Sequence, residues 1–331
     1  MDVKKREANE PFSAWTEEEL LDGKRARCLT IILSTSGCAW WKESGGCMMC
    51  GYNYRSSCNN VSSENITKQF NSAWKMFDAH SMVKIYTSGS FLDENEISLD
   101  ARRHILKVVG ESDAKLLFES RPEFVTRIAI EECMSICQRI ELALGLESAN
   151  DKVLKYSVGK GFSFADYLRA ATEGKEAGAD IRTYLLLKPP FLTEREAIAD
   201  VKLSITKVSD ISKVISINPV NVQRGTKVEK MWKSWSYRPP WLWSVVEILA
   251  NSEHRKALLI ASTIAAGSER GVHNCFKCDQ DFVRAIGGFS LTQDRKQLQA
   301  LECDCRSRWE KCLEIEKFSV ATADLERFFS R

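Results

Sequence analysis

The sequence carries no surplus of either charge: 47 Lys and Arg against 45 Asp and Glu leave a net +2. No global field therefore marks a nucleic-acid binder, and any RNA contact has to come from a local patch. No apolar run is long enough to span a bilayer, which excludes a membrane anchor of the helical kind. The first ten residues, MDVKKREANE, lead into no apolar stretch, so no secretory leader is expected. Internal repeats and low-complexity tracts are also missing. What remains is a cytoplasmic globular chain of 331 residues, 44% hydrophobic and 28% charged, able to bury a large core.

Against that background twelve cysteines stand out. In a reducing compartment clustered thiols point to metal binding or catalysis more than to disulfides. Cys28, Cys58, Cys133, Cys137 and Cys312 join no clean pair or triple, and Cys133 and Cys137, four apart on an expected helix, read as small buried hydrophobes. The other seven fall into two groups.

Apolar, β-branched runs at 28–34, 83–87, 115–119, 139–145, 181–187 and 214–218 alternate with amphipathic stretches such as 63–78, 100–110, 164–177 and 194–207. This is the pattern of βα units around a parallel sheet, and six units predict an α/β partial TIM-type barrel. The unusual loops all follow C-terminal strand ends, where barrel enzymes place their active sites. After Thr226 the texture changes to a Trp-rich basic stretch and then a Cys-rich segment. The expected division is an N-terminal extension over 1–27, the barrel over 28–226 and a metal-binding region over 227–331.

The first group is Cys38-Ala-Trp-Trp-Lys-Glu-Ser-Gly-Gly-Cys47-Met-Met-Cys50, three thiols in one glycine-bearing loop behind the first expected barrel strand. Three thiolates can each hold an iron of a [4Fe–4S] cluster and leave the fourth iron open for a substrate. Gly45 and Gly46 would let the loop turn tightly. The alternative is a zinc loop with Cys58 as fourth ligand, since structural zinc prefers closed four-ligand sites.

The second group is Cys275-Phe-Lys-Cys278 and, 24 residues on, Cys303-Asp-Cys305. Two short knuckles suit tetrahedral zinc, an auxiliary iron–sulfur cluster being the competing occupant. The second pair has one intervening residue where zinc ribbons usually have two, so His273 or Cys312 could replace a member. Between the groups, Arg224, Lys227, Lys230, Lys233 and Arg238 interleave with Trp232, Trp235, Tyr237, Trp241 and Trp243. Cations with aromatic faces make a reasonable RNA surface, and buried packing is the competing use of those rings.

The loop motifs resemble those of the radical S-adenosylmethionine superfamily. Most of that superfamily has three residues between its first two cysteines; the eight here resemble the branch containing the Elongator catalytic subunit. Thr87-Ser88-Gly89-Ser90-Phe91 resembles the glycine segment that meets the amino group of the cofactor. Glu119-Ser120-Arg121-Pro122-Glu123 resembles the branch's Glu-Thr-Arg-Pro-Asp stretch, Gly145-Leu146-Glu147-Ser148 its fourth-strand motif, and the loop 218–226 its sixth-strand loop. With Arg238-Pro-Pro-Trp-Leu-Trp243 and His273-Asn-Cys-Phe-Lys-Cys278, nearly the whole chain resembles the archaeosine biosynthesis radical S-adenosylmethionine family.

That resemblance implies a tRNA-modifying C–N lyase acting as a β subunit. An α subunit would first attach lysine to 7-cyano-7-deazaguanosine in tRNA, and an electron donor would reduce the cluster. It assigns the cluster to Cys38, Cys47 and Cys50 and cofactor contacts to Gly89, Glu119, Arg121, Glu147 and Ser148, while zinc at Cys275, Cys278, Cys303 and Cys305 is the reading of their two short knuckles. It names no hydrogen-relay residue.

Overall fold

The computed structural model describes residues 8–52, 61–253 and 256–318. Cys58, the fourth ligand of the zinc alternative, lies outside them. Along the chain come β1 (Ser13–Leu21), β2 (Lys24–Ile32), α1 (Ala39–Ser44), α2 (Ser63–Trp74), β3 (Met82–Tyr86), α3 (Leu99–Glu111), β4 (Lys115–Ser120), α4 (Arg127–Ile136), β5 (Ile140–Glu147) and α5 (Phe164–Glu176). There follow β6 (Asp180–Leu187), α6 (Glu194–Val208), β7 (Val214–Pro219), α7 (Lys227–Lys233), α8 (Leu242–Asn251), β8 (Leu258–Ala261), α9 (Asp279–Thr292), α10 (Lys296–Gln299) and α11 (Arg306–Ile315). The six strands read from the sequence are β2 to β7, and the four helices are α2, α3, α5 and α6. No helix among the described residues is long and apolar enough to cross a membrane.

Two compact units emerge: Met1–Gly46 with Tyr52–Gly145 and Asp166–Ile181, and Cys47–Gly51 with Leu146–Ala165 and Arg182–Arg331. In the first unit β1 runs antiparallel to β2, and β2, β3, β4 and β5 pair in parallel in chain order. Parallel strands linked by helices are covered on both faces, which is why β3, β4 and β5 read as nearly unbroken buried runs. Helices α2, α3 and α4 start on polar caps. Ser62 and Asn65 form a reciprocal capping box on α2, and Thr126 caps α4 through the N–H of Ala129.

Two lysines break the apolar pattern inside this unit. Lys84 on β3 is buried against Glu17 at 2.8 Å and against Glu19, both carboxylates being supplied by β1. Lys115, equally buried, meets Glu141 at 3.0 Å and Asp180 at 2.5 Å. Each buried ammonium is thus neutralised by two carboxylates, the condition under which such a charge can leave water.

In the second unit β6, β7 and β8 pair in parallel, so the ladder continues past residue 226, where the texture of the sequence changes. Thr193 and Glu196 form a capping box on α6, which buries Ala197, Ile198, Val201, Ile205 and Val208 along one face. Helix α8 is buried over most of its surface, including Trp243.

Candidate active site and four-cysteine centre

Cys38 sits in the loop after β2, in extended backbone, as the N-cap residue of α1. Gly89, in the loop after β3, packs directly on it: a Cβ at Gly89 would stand 2.8 Å from the Cα and 2.9 Å from the Cβ of Cys38. Only glycine fits this approach. The β3 loop is held there by Glu96, whose Oε1 accepts from the N–H groups of Ser88 at 2.9 Å and Gly89 at 3.0 Å, while Oε2 accepts from Ser90 N–H at 2.6 Å. The Thr35 hydroxyl, three residues before Cys38, donates to the same carboxylate at 2.6 Å. Burial raises the Glu96 pKa, and the hydrogen bonds from Thr35, Ser90, Gly89 and Ser88 oppose that rise.

The β4 loop joins the same assembly. Phe91 N–H donates to Glu119 O at 2.8 Å, and the Ser90 and Ser120 hydroxyls lie 2.6 Å apart. Arg121 is buried, pairs with Glu123, and lies over the Trp40 ring of α1 at 5.6 Å. The first unit therefore gathers Cys38, Gly89, Glu119 and Arg121 through neighbouring strand-end loops.

Cys47 and Cys50 belong to the second unit, where Cys50 N–H donates to Cys47 O at 3.2 Å. Three bonds pin their short turn. Met48 N–H reaches Val158 O at 2.9 Å, Val228 N–H reaches Met48 O at 3.3 Å, and Gly51 N–H reaches Gln223 Oε1 at 2.7 Å. Glu147, the last residue of β5, sits at φ 72 and pairs with Lys160 at 3.0 Å. Ser148, fully buried, donates to Asp200 Oδ1 at 2.8 Å, whereas Asp200 Oδ2 is buried with no hydrogen-bond partner. Burial pushes the Asp200 carboxyl up to about 6, with Ser148 and Lys207 working against it.

The four C-terminal cysteines converge. The sulfurs of Cys275, Cys278, Cys303 and Cys305 all lie within 4.8 Å of one another, and three edges of the group measure 3.7 Å. His273 is turned to Gly271 O at 2.7 Å and Cys312 to Glu316 at 3.3 Å, so neither joins the quartet. Asp279 shapes the first knuckle by accepting from Asn274 N–H at 2.9 Å and Phe276 N–H at 2.8 Å. Burial alone would raise the Cys275 pKa, but the N–H groups of Cys278 and Lys277 and the neighbouring sulfurs bring it down to about 7. Trp243 Nε1 donates to Cys305 Sγ at 3.3 Å, giving that ring a structural task. Cys28, Cys133 and Cys137 are buried as small hydrophobes, and burial pushes the Cys133 thiol up to about 11.

Across 332 residues the sequence is 42% identical to archaeosine synthase subunit beta of Methanosarcina acetivorans, covering 98% of this chain and 96% of that protein. This chain belongs to the archaeosine synthase subunit beta family. The Thermococcus kodakarensis protein of the same name is 39% identical over 311 residues, covering 91% of this chain and 96% of its own length. Among solved structures, an N-terminally truncated archaeal Elp3 from Methanocaldococcus infernus matches with a TM-score of 0.50 at 17% identity, covering 69% of this chain and 58% of that one. That likeness is one of fold, the α/β fold of Elongator-like radical S-adenosylmethionine proteins. No protein-family profile matches the chain.

Two residues of this family member escape a reading of sequence alone. Glu96 lies in an acidic run, Asp93-Glu94-Asn95-Glu96, in which nothing singles it out. Asp200 lies inside a helical stretch where an acid normally faces water. Its register beside Ala197 and Ser204, at the edge of the buried stripe of α6, was the available signal for the second. The first had none.

Proposed function

We propose that this chain is the radical-generating subunit of an archaeosine synthase, a C–N lyase that converts the lysine adduct of 7-cyano-7-deazaguanosine in tRNA to archaeosine. The observation that carries this reading is near full-length identity of 42% to a protein of that name. The donor set agrees with it. Three cysteines in a glycine-bearing loop after β2 suit a cluster with one open iron, and the missing side chain of Gly89 lets the β3 loop pack directly against Cys38.

In this reading Cys38, Cys47 and Cys50 hold a [4Fe–4S] cluster. Gly89, Glu119, Arg121, Glu147 and Ser148 would be the chain's contacts to S-adenosylmethionine. When bound, the cluster would supply the electron for reductive cleavage of S-adenosylmethionine, the radical chemistry that C–N cleavage of the lysine moiety would need. The chain's own work is positioning. Glu96 fixes three successive N–H groups of the β3 loop, and Asp200 orients the Ser148 hydroxyl.

The four-cysteine centre is read as structural zinc. A Zn–S bond of about 2.3 Å in a tetrahedron puts the sulfurs about 3.8 Å apart, close to the 3.7 Å edges found here. A multi-iron cluster spreads its thiolates over several metal atoms and fits this compact quartet less well. Cytoplasmic tRNA, a lysine-transferring α subunit and an electron donor complete the reading.

The test is to incubate anaerobically reconstituted protein with lysine-modified tRNA, S-adenosylmethionine and reductant, and to look for archaeosine nucleoside by mass spectrometry. A cluster-loaded sample that forms 5′-deoxyadenosine but no archaeosine rejects the reaction proposed.

A further inference from the structure

The basic, Trp-rich stretch divides into two kinds of residue. Tyr237 and Trp243 are buried and bonded, Trp241 is covered by Arg238 at 4.0 Å, and Trp232 is covered by Arg270 at 4.9 Å. Trp235 is different: it is 96% exposed and sits at φ 61. Left-handed backbone is rare for a bulky residue. Here it is enforced by Trp235 N–H to Trp232 O at 3.1 Å and Ser236 N–H to Met231 O at 2.9 Å, which keep the ring displayed.

Arg224, Lys227, Lys230 and Lys233 recur at every third position leading up to this ring, and all are exposed. Arg224, Lys227 and Lys230 enter no ion pair among the described residues. The nearby acid, Glu229, is already engaged: Arg270 donates to it at 2.7 Å and Gly225 N–H at 2.9 Å, holding its carboxyl down at about 2. Lys233 is its more distant neighbour at 3.5 Å. The strip therefore keeps its positive charge.

Its foundations are the bonds from Gly51 and Val228 described above, which tie 223–228 to the turn carrying Cys47 and Cys50. We infer that α7 and its C-terminal turn form an RNA-binding strip, in which Arg224, Lys227, Lys230 and Lys233 track the phosphates of one strand and Trp235 stacks on an unpaired base. This assignment rests on the tRNA substrate proposed above. A protein partner is the weaker fit, because interface cores are depleted in lysine, whereas alternating cations and an open aromatic face are what single-stranded nucleic acid requires.

The experiment measures binding of an unmodified archaeal tRNA transcript to the cluster-loaded full chain by filter retention across a salt series. Trp235→Ala is expected to weaken binding about tenfold and Trp235→Phe by less than about threefold, since a smaller aromatic face still stacks. Lys227→Gln with Lys230→Gln should lower the slope of log K against log salt by roughly 1.5, as two phosphate contacts disappear. Parental affinity in Trp235→Ala together with a parental slope in the lysine pair overturns the strip. So does unchanged tRNA affinity in Trp235→Ala accompanied by loss of α-subunit capture, which would make it a protein interface. If the parent makes archaeosine while these variants bind tRNA normally, the strip fails and the reaction stands. If the variants lose binding as expected but the parent makes no archaeosine, the strip stands and the reaction fails.

Discussion

Gly89 and Asp200 show how much single atoms matter beside the candidate site. A methyl at Gly89 would collide with the backbone of Cys38 at 2.8 Å, and backbone cannot swing aside as a side-chain tip can. Gly89→Ala is expected to cost about 1–3 kcal/mol of stability and to lower iron retention, measured by chemical denaturation and iron assay. Asp200 gives a pH dependence with a definite sign. Its folded pKa, about 6, lies above the ordinary aspartate value of 3.8, so the folded state holds the proton more tightly. This group's contribution is present below pH 4 and is lost as pH rises through 6. The loss amounts to about 2–3 kcal/mol by pH 8. Asp200→Asn keeps an acceptor for Ser148 and should flatten stability between pH 4 and 7; an unaltered pH profile by urea titration would contradict it. At this scale legibility depended on singularity. Gly89 could be picked out because its Thr-Ser-Gly-Ser loop resembles a known glycine segment, and the cysteines because they cluster, the first three of them in a loop behind a strand. Glu96 and Asp200 act through burial, which is decided by distant parts of the chain.

Among the elements, α6, α8 and α11 are coupled by a polar chain of unusual depth. Trp309 Nε1 donates to Ser244 Oγ at 3.0 Å, Ser244 donates to Glu194 Oε1 at 2.5 Å, and Lys188 Nζ lies 2.8 Å from Glu194 Oε2. Trp241 N–H also donates to the fully buried Glu194 at 2.8 Å, and Tyr237 OH donates to Lys188 O at 2.7 Å. Glu194→Ala leaves Lys188 uncompensated and is expected to destabilise by about 3–5 kcal/mol, measured by thermal and urea unfolding. The strands β2 to β7 could be read because parallel strands buried on both faces leave continuous β-branched runs. β1 was missed for the opposite reason: Glu17, Glu18 and Glu19 in mid-strand look like a solvated segment until Lys84 is placed against two of them. β8 has four residues, too few for a period to show. The Trp-rich stretch was ambiguous because composition cannot tell a ring that packs, such as Trp243, from one held open, such as Trp235.

For the whole molecule, the two cysteine groups predict separable metal content. Anaerobically purified protein should hold roughly four irons and roughly one zinc per chain. Cys47→Ala should lose the iron and its absorption while keeping zinc. Cys278→Ala should lose zinc and at least about 4 kcal/mol of stability. Elemental analysis of both variants checks the assignment, and zinc lost from Cys47→Ala with iron intact would reverse it. The sequence marked a change of texture at 226 but could not show how the compact units are threaded. The chain passes between them after residues 46, 51, 145, 165 and 181. A ribosome must therefore have released residue 181 before the first unit has all its parts, and by then pieces of the second have long been waiting. No truncation at a single point can deliver either unit complete and alone.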